Sequence, residues 1–260
     1  FKKVLKKLIN AGLTNITWTG GEAVLYPYLN ELIKIARQNG VKNILILHGW
    51  GANKELMKSA FSKYLNQFNC VYLDLPGFGL SSTLEVPLCT NDYANIVSKF
   101  IRSLGIEFEI VMGHSFGGKV AALLNPRYLI LLSSAGIIKQ KRFSVRAKIA
   151  IFKILKSIGL GRFWRIFATK DISGMSKIMY ETLKNVVDED FSDIFASLNS
   201  NALIFWGISD DATPLSSGEN IAKLIKNSQF YSLDGDHFFF LQHSKYIAKI
   251  ITETTKKDQK

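Results

Sequence analysis

A serine on a glycine-flanked turn is the residue of this chain with the clearest potential for chemistry. The run GHSFG at 113–117 follows an apolar stretch at 108–112 and precedes a helix-compatible segment beginning at Lys119. A sharp strand-to-helix turn needs such glycines, because Cβ atoms there would collide with neighbouring backbone. The turn raises the serine hydroxyl above a sheet and directs helix N–H groups to the same point. Ser115 is therefore predicted to be a nucleophile; the alternative is a Gly/Ser turn that only packs a helix against a sheet.

Such a serine needs a base to take its proton and an acid to orient that base. Where a nucleophile sits on this kind of turn, the acid and then the histidine follow it along the chain. The segment WGISDDATP at 206–214 supplies Asp210 as the predicted acid, with Asp211 as the substitute one residue further on. The segment LDGDHF at 233–238 supplies His237 as the predicted base.

The same chemistry requires hydrogen-bond donors where negative charge develops on the substrate. The backbone N–H of Phe116, directly after the serine, is one predicted donor. The second is predicted to be the backbone N–H of Trp50, in the glycine-containing turn HGWG at 48–51. The indole of Trp50 would line the pocket or simply pack. The turns that border the predicted substrate pocket also contain His48, Gly49 and His114.

Strands and helices alternate along the part of the chain that carries these residues. Short apolar runs predict strands at 43–47, 70–73, 108–112, 127–132, 202–206 and 229–233. Amphipathic periodicity predicts helices at 53–67, 91–104, 217–226 and 244–254. This order predicts an α/β fold with a doubly wound, mostly parallel sheet.

Residues 137–195 break the alternation and read as an inserted helical cap. Within it, Arg146–Ile158 has an apolar stripe with basic residues opposite, and Ser176–Val187 also has helical periodicity. The predicted organisation is therefore an N-terminal segment at 1–40, a core formed by 41–136 and 196–260, and the cap.

Five motifs together resemble those of α/β hydrolases with a helical cap, over about residues 41–255. They are HGWG at 48–51, DLPGFGLS at 74–81, GHSFGG at 113–118, WGISDDATP at 206–214 and GDH at 235–237. The resemblance implies cleavage of a carboxylic ester, or next a thioester or a carbon–carbon bond beside a carbonyl, through an acyl-enzyme and without cofactor or metal. The chain departs from the family in two ways: the usual antiparallel strand pair before HGWG has no counterpart, and the elbow helix is short.

The N-terminal segment at 1–40 weakly resembles part of a radical S-adenosylmethionine enzyme. A predicted strand ends in Gly20-Gly21-Glu22, where that family contacts its cofactor. The family also needs three clustered cysteines for its iron–sulfur cluster, and Cys70 and Cys89 are the chain's only two. Residues 1–40 are therefore interpreted as a fragment without activity, or as an ordinary lead-in to the sheet.

The positive charge of the chain is concentrated in the predicted cap. The formal net charge is +12, and ten lysines and arginines with no acid lie between Lys139 and Lys170. Such a segment could meet an acidic carrier protein or a membrane surface, or could be a solvated helical face. Nucleic acid is not an expected partner, since no binding module accompanies the charge.

Composition limits the remaining classes of protein. A hydrophobic content of 47% predicts a folded chain, and no apolar run reaches the ~18 residues that span a bilayer. Two cysteines favour neither a disulfide scaffold nor a metal site, so a cytoplasmic protein is expected. A non-catalytic ligand-binding protein with the same fold is the alternative to an enzyme that acts on a small acyl substrate.

Overall fold

The computed structural model describes residues 42–138 and 175–257 of the 260-residue chain. Within these ranges six strands form one sheet, in the order β2-β1-β3-β4-β5-β6, and every neighbouring pair is parallel. The strands are β1 (Asn43–Leu47), β2 (Asn69–Leu73), β3 (Ile110–His114), β4 (Tyr128–Leu132), β5 (Asn201–Gly207) and β6 (Ser228–Leu233). All their carboxyl ends therefore meet at one edge of the sheet.

Helices connect these strands. They are α1 (Lys54–Phe61), α2 (Thr90–Leu104), α3 (Phe116–Leu123), α4 (Lys177–Val187), α5 (Ser192–Ser197), α6 (Leu215–Leu224) and α7 (Phe240–Lys257). The Asn53 side chain caps α1 by accepting from the N–H groups of Glu55 and Leu56. At the end of α2, Gly105 takes a φ of 60°, the left-handed conformation that commonly stops a helix.

The sheet is covered on both faces, which is why its strands are apolar along their whole length. Alternate residues point to opposite sides: Leu45 and Leu47 pack with α2, α3 and α6, whereas Ile44 and Ile46 pack with α1 and α7. All four of these side chains are fully buried. This packing of helices on both faces of one parallel sheet confirms the predicted doubly wound α/β fold.

The main differences from the predicted elements lie at helix ends. Helix α1 stops at Phe61 rather than near residue 67, because the chain then makes turns, with Tyr64 N–H donating to Phe61 O and Phe68 N–H to Leu65 O. Helix α7 begins at Phe240 rather than Ser244. Helix α4 lies within the predicted cap, and α5 crosses its predicted end at residue 195. The 146–158 stripe of the cap and the segment at 1–40 lie outside the described residues.

The described residues also answer two general questions. Their longest helices are too short or too polar to cross a membrane. Within 42–138 and 175–257, no group of three or more His, Cys, Asp or Glu side chains is arranged to hold a metal ion.

Candidate active site

Ser115 occupies a strained turn between β3 and α3. Its backbone has φ 51° and ψ −114°, a region that residues with a Cβ rarely adopt. The neighbouring glycines are required sterically: a Cβ on Gly117 would lie 2.5 Å from the carbonyl oxygen of His48, and one on Gly113 would overlap the Gly117 carbonyl. The half-buried Ser115 therefore stands at the carboxyl edge of the sheet with α3 starting directly after it.

Asp210 and His237 are hydrogen-bonded to each other at the same edge. The His237 Nδ1 atom lies 2.8 Å from Asp210 Oδ2; the imidazole is 18% exposed and the carboxylate is fully buried. The loops that carry them are joined directly, since Ser209 N–H donates to Gly235 O. The structure thus brings together the predicted acid and the predicted base, and it is Asp210 rather than the exposed Asp211 that bonds the imidazole.

The surroundings of Asp210 favour an ionised carboxylate. Burial alone would raise its pKa, but hydrogen bonds from His237 and from the backbone N–H of Thr213 outweigh burial and lower the pKa to about 2. Its Oδ1 atom accepts from the N–H groups of Ala212 at 2.9 Å and Thr213 at 2.8 Å. The carboxylate is therefore charged and fixed in orientation at neutral pH.

His114, the residue directly before Ser115, contacts the histidine of this pair. The ring centroids of His114 and His237 are 4.7 Å apart, and His114 Nε2 is 3.0 Å from the His237 carbonyl oxygen. Among the described residues, the Ser115 hydroxyl makes no hydrogen bond to the imidazole of His237. Such bonds are often long without substrate and tighten when substrate binds, so the arrangement is compatible with proton transfer from the serine.

The predicted oxyanion turn lies beside the elbow. The Trp50 indole packs edge-on against Phe78 and Phe116, with centroid distances of 4.9 and 5.6 Å. His48 is fully buried, with its Nδ1 2.8 Å from Gly49 O and its Nε2 accepting from the Leu75 N–H at 3.0 Å. Backbone partners thus occupy both nitrogens of His48, which holds the turn in place.

His114 is a buried neutral imidazole beside the acid–base pair. Desolvation, followed by the proximity of His237, lowers the pKa of His114 to about 3. Because the His237 carbonyl can only accept, Nε2 of His114 carries the proton, and its Nδ1 has no hydrogen-bond partner. That nitrogen points at Gly49, where a Cβ would approach to 2.8 Å. His114 therefore packs the elbow, the histidine loop and the oxyanion turn against one another.

Replacing His114 with glutamine is expected to weaken the dependence of stability on acid pH. The pKa of His114 is about 3 in the folded chain, against an ordinary value of 6.5. Between these two pH values the unfolded chain binds a proton on His114 that the folded chain excludes, so stability falls as pH falls. The contribution is about 1.4 kcal/mol per pH unit below 6.5. Urea unfolding of wild type and His114→Gln between pH 6.5 and 4.5 measures it, with His243→Gln, near the surface of α7, as control. Equal slopes for wild type and His114→Gln would contradict a buried neutral imidazole.

A buried ion pair that the sequence did not reveal supports the oxyanion turn. Lys54 Nζ donates to Asp74 Oδ2, Lys54 N–H donates to Oδ1 at 2.7 Å, and both side chains are 2% exposed. Leu80 N–H also donates to Asp74, at 3.0 Å. Burial opposes ionisation of Asp74, but these bonds lower its pKa overall. The pair fastens the DLPGFGLS loop to the start of α1. In the sequence, its one visible sign is an aspartate directly after β2, which does not identify the lysine partner.

A second buried cation joins the elbow helix to the segment after α4. Lys119 Nζ on α3 donates to Glu189 Oε2 at 2.7 Å and to Val186 O, and it lies over the Phe191 ring at 4.6 Å. Glu189 also accepts from the hydroxyl of Thr90 at the start of α2. These contacts fix the base of the predicted cap against the helix that follows Ser115.

The topology and the elbow define the class of protein, and comparison with known proteins agrees. Residues 42–134 match the family model described as alpha/beta hydrolase fold. A solved esterase from Exiguobacterium antarcticum superposes with a TM-score of 0.65 at 21% identity, covering 83% of this chain and 92% of the other. The chain has the α/β-hydrolase fold.

Curated relatives match shorter parts of the chain. A dihydrolipoyllysine-residue acetyltransferase component of an acetoin cleaving system from Cupriavidus necator is 34% identical over 93 residues, covering 35% of this chain and 25% of that protein. A pimeloyl-[acyl-carrier protein] methyl ester esterase from Proteus mirabilis is 33% identical over 113 residues, covering 41% and 42%. The chain thus spans less than half the length of each of these two relatives.

The resemblance of residues 1–40 to a radical S-adenosylmethionine enzyme is not borne out. The family match begins at residue 42, and the segment contains no cysteine to hold an iron–sulfur cluster. A two-glycine turn followed by an acid is too common to identify that family without the cysteines.

Proposed function

We propose that this protein is a serine hydrolase that cleaves a carboxylic ester, or a related acyl bond, with Ser115 as nucleophile. The observation that carries the proposal is the 2.8 Å hydrogen bond between His237 and Asp210 at the edge where the strained turn presents Ser115. A buried acid–histidine pair beside a serine on a strand-to-helix turn is the arrangement that activates a hydroxyl nucleophile.

The proposed reaction passes through an acyl-enzyme. The Ser115 oxygen attacks the acyl carbonyl while Nε2 of His237 takes the hydroxyl proton, and Asp210 holds the resulting imidazolium through Nδ1–H. The backbone N–H groups of Phe116 and Trp50 receive the developing oxyanion. His237 then gives its proton to the departing alcohol. Water, deprotonated by the same imidazole, cleaves the acyl-enzyme and restores Ser115.

Two groups of observations support this proposal beyond the acid–base pair. Phe116 N–H is the first of α3 and so lacks an acceptor within its own helix, leaving it available to a substrate oxygen. The positions of His48 and Gly117 bring the oxyanion turn against the elbow. Esterases of the same fold are among the similar structures, and they agree with the reaction class.

The experiment that tests the proposal combines a covalent probe with turnover. A fluorophosphonate should label the purified chain at Ser115, and p-nitrophenyl acetate or butyrate should be hydrolysed. Acyl chains of increasing length, as esters and as thioesters, then define the substrate class. Labelling without turnover of any acyl substrate would favour the alternative, a ligand-binding protein of this fold.

A second candidate is an esterase or thioesterase acting on acyl groups of an acidic carrier protein. Two observations favour it: the Proteus mirabilis relative acts on pimeloyl-[acyl-carrier protein] methyl ester, and ten basic residues lie between Lys139 and Lys170. The described ranges hold nearly equal numbers of acidic and basic residues, so a carrier would be attracted mainly by the predicted cap.

Carrier-linked substrates are expected to be far more sensitive to salt than small esters. Raising the salt concentration from 50 to 500 mM should lower kcat/KM about tenfold or more for an acyl-carrier substrate and less than about twofold for p-nitrophenyl butyrate, because only the former relies on screened long-range attraction. The charge reversal Lys153→Glu/Lys156→Glu should reproduce this loss at low salt. The control Lys223→Glu/Lys226→Glu, on exposed residues at the end of α6, should not. Equal salt dependence of the two substrates would reject the carrier.

A further inference from the structure

Thr213 contacts both members of the acid–base pair. Its Oγ1 atom lies 2.8 Å from Asp210 Oδ2, 3.3 Å from His237 Nδ1 and 3.2 Å from the Ser133 carbonyl oxygen. With its single proton, the hydroxyl can donate to only one of these acceptors at a time. The acceptor that the Thr213 hydroxyl chooses therefore affects the electrostatic environment of the His237 imidazole.

The backbone of Thr213 is held on both sides, so the hydroxyl has little freedom to leave. Its N–H donates to Asp210 Oδ1 at 2.8 Å, and its carbonyl accepts from the fully buried indole of Trp206 at 2.7 Å. Ser133, whose carbonyl is the competing acceptor, has a φ of 43°, a conformation that a serine adopts only under constraint from its surroundings. The bonds of the Thr213 backbone and the nearby Ser133 carbonyl therefore hold the half-buried hydroxyl beside the acid–base pair.

The occupancy of Asp210 indicates the direction of the hydroxyl proton. Oδ1 already accepts two backbone N–H groups, and Oδ2 faces both the imidazole Nδ1 and the Thr213 hydroxyl. When Nδ1 donates to the carboxylate it cannot also accept, so the hydroxyl proton goes to Oδ2, the closer and charged acceptor. The Thr213 oxygen then lies beside the Nδ1–H group as a second, longer acceptor.

We propose that Thr213 is a positioning residue of this site. Its hydroxyl bond to Asp210 fixes the position of the carboxylate relative to the imidazole, and it reduces the effective negative charge that the carboxylate presents to His237. The inference rests on the proposed function, because positioning matters only if His237 acts as a base. It extends that function by a residue that touches no substrate and acts through Asp210.

Several titratable groups lie around the His237 imidazole and could influence a pH profile. Among the described residues, Asp210 reaches it from the loop after β5 and the neutral His114 from the end of β3. In its own loop, Asp236 is engaged with the Phe238 N–H, and Asp211 is exposed beside Asp210. Apart from Asp210, through which the hydroxyl is proposed to act, none of these groups hydrogen-bonds to Thr213, so a shift can be assigned to loss of the hydroxyl bond to Asp210.

The test compares Thr213→Val, which keeps the shape but removes the hydroxyl, with Thr213→Ser, which keeps the hydroxyl. Without the donor, the carboxylate presents its full charge and the protonated imidazole is favoured. The acidic limb of kcat/KM against pH should therefore move to higher pH in the valine variant, by about half a pH unit. Looser positioning should lower kcat about tenfold with little change in KM. The serine variant should restore the wild-type profile.

Two results would overturn the inference: an unchanged acidic limb in Thr213→Val, or a serine variant as impaired as the valine one. A second readout does not need catalysis. In protein labelled with ¹⁵N-histidine, the Nδ1–H proton signal of His237 should move downfield in Thr213→Val, because it no longer shares Oδ2 with another donor. If no ester is turned over, this signal still decides the role of Thr213. If the valine variant does not fold, Thr213→Ala takes its place.

Discussion

Ser115→Ala is expected to eliminate fluorophosphonate labelling and to lower kcat for a p-nitrophenyl ester by about 10⁵- to 10⁶-fold, the loss typical when a serine nucleophile is removed. Alanine keeps the Cβ atom that creates the strain at φ 51°, and it removes only the hydroxyl. The fold and its thermal stability should therefore change little, and the loss can be assigned to chemistry. Residual activity should come from oxyanion stabilisation and substrate binding alone.

A matched control is available on the same edge of the sheet. Ser209 is exposed next to Asp210, and its backbone N–H donates to Gly235 O. Ser209→Ala should keep both labelling and turnover. If Ser115→Ala remained labelled and active while folded, the nucleophile would lie elsewhere and the proposed mechanism would be abandoned.

The fold was predictable because its strands are buried on both faces and therefore apolar throughout. The run at 43–47 matches β1 residue for residue, and the other strands overlap their predicted runs, although β3 lies two residues later than the run at 108–112. The glycines around Ser115 predicted the turn, since the steric need for them is local. The loop motifs likewise predicted Asp210 and His237, because consecutive parallel strands end at a common edge.

The interactions that support the site could not be predicted, because each joins residues far apart in sequence. In the sequence, Lys54 and Lys119 look like ordinary helix lysines, which are usually exposed, and only tertiary packing buries them against Asp74 and Glu189. The early end of α1 could not be predicted either. Residues 62–68 keep helical periodicity, but tertiary structure requires the chain to turn there so that it can enter β2. The hydroxyl of Thr213 belongs to this group, since its role depends on a distance to an imidazole on another loop.

Because only Asp210 bonds His237, a large loss of activity is expected when Asp210 is changed but not when the adjacent Asp211 is changed. In Asp210→Asn, the backbone N–H groups of Ala212 and Thr213 require an acceptor at the Oδ1 position, so the amide oxygen must lie there. The amide NH₂ then faces His237 Nδ1, where it can only donate. The imidazole is forced to carry its proton on Nε2, and it can no longer accept a proton from Ser115.

Asp210→Asn should therefore lower kcat about 10⁴-fold, as expected for the wrong tautomer of the base, without loss of fold. The identical substitution at the exposed Asp211 should stay within about twofold of wild type, because that carboxylate does not bond the imidazole. Steady-state kinetics on one ester, with circular dichroism to verify folding, make the comparison. If Asp211→Asn proved to be the inactive variant, the acid would be reassigned by one residue. Two active variants would mean that His237 needs no carboxylate, which the buried 2.8 Å hydrogen bond between them argues against.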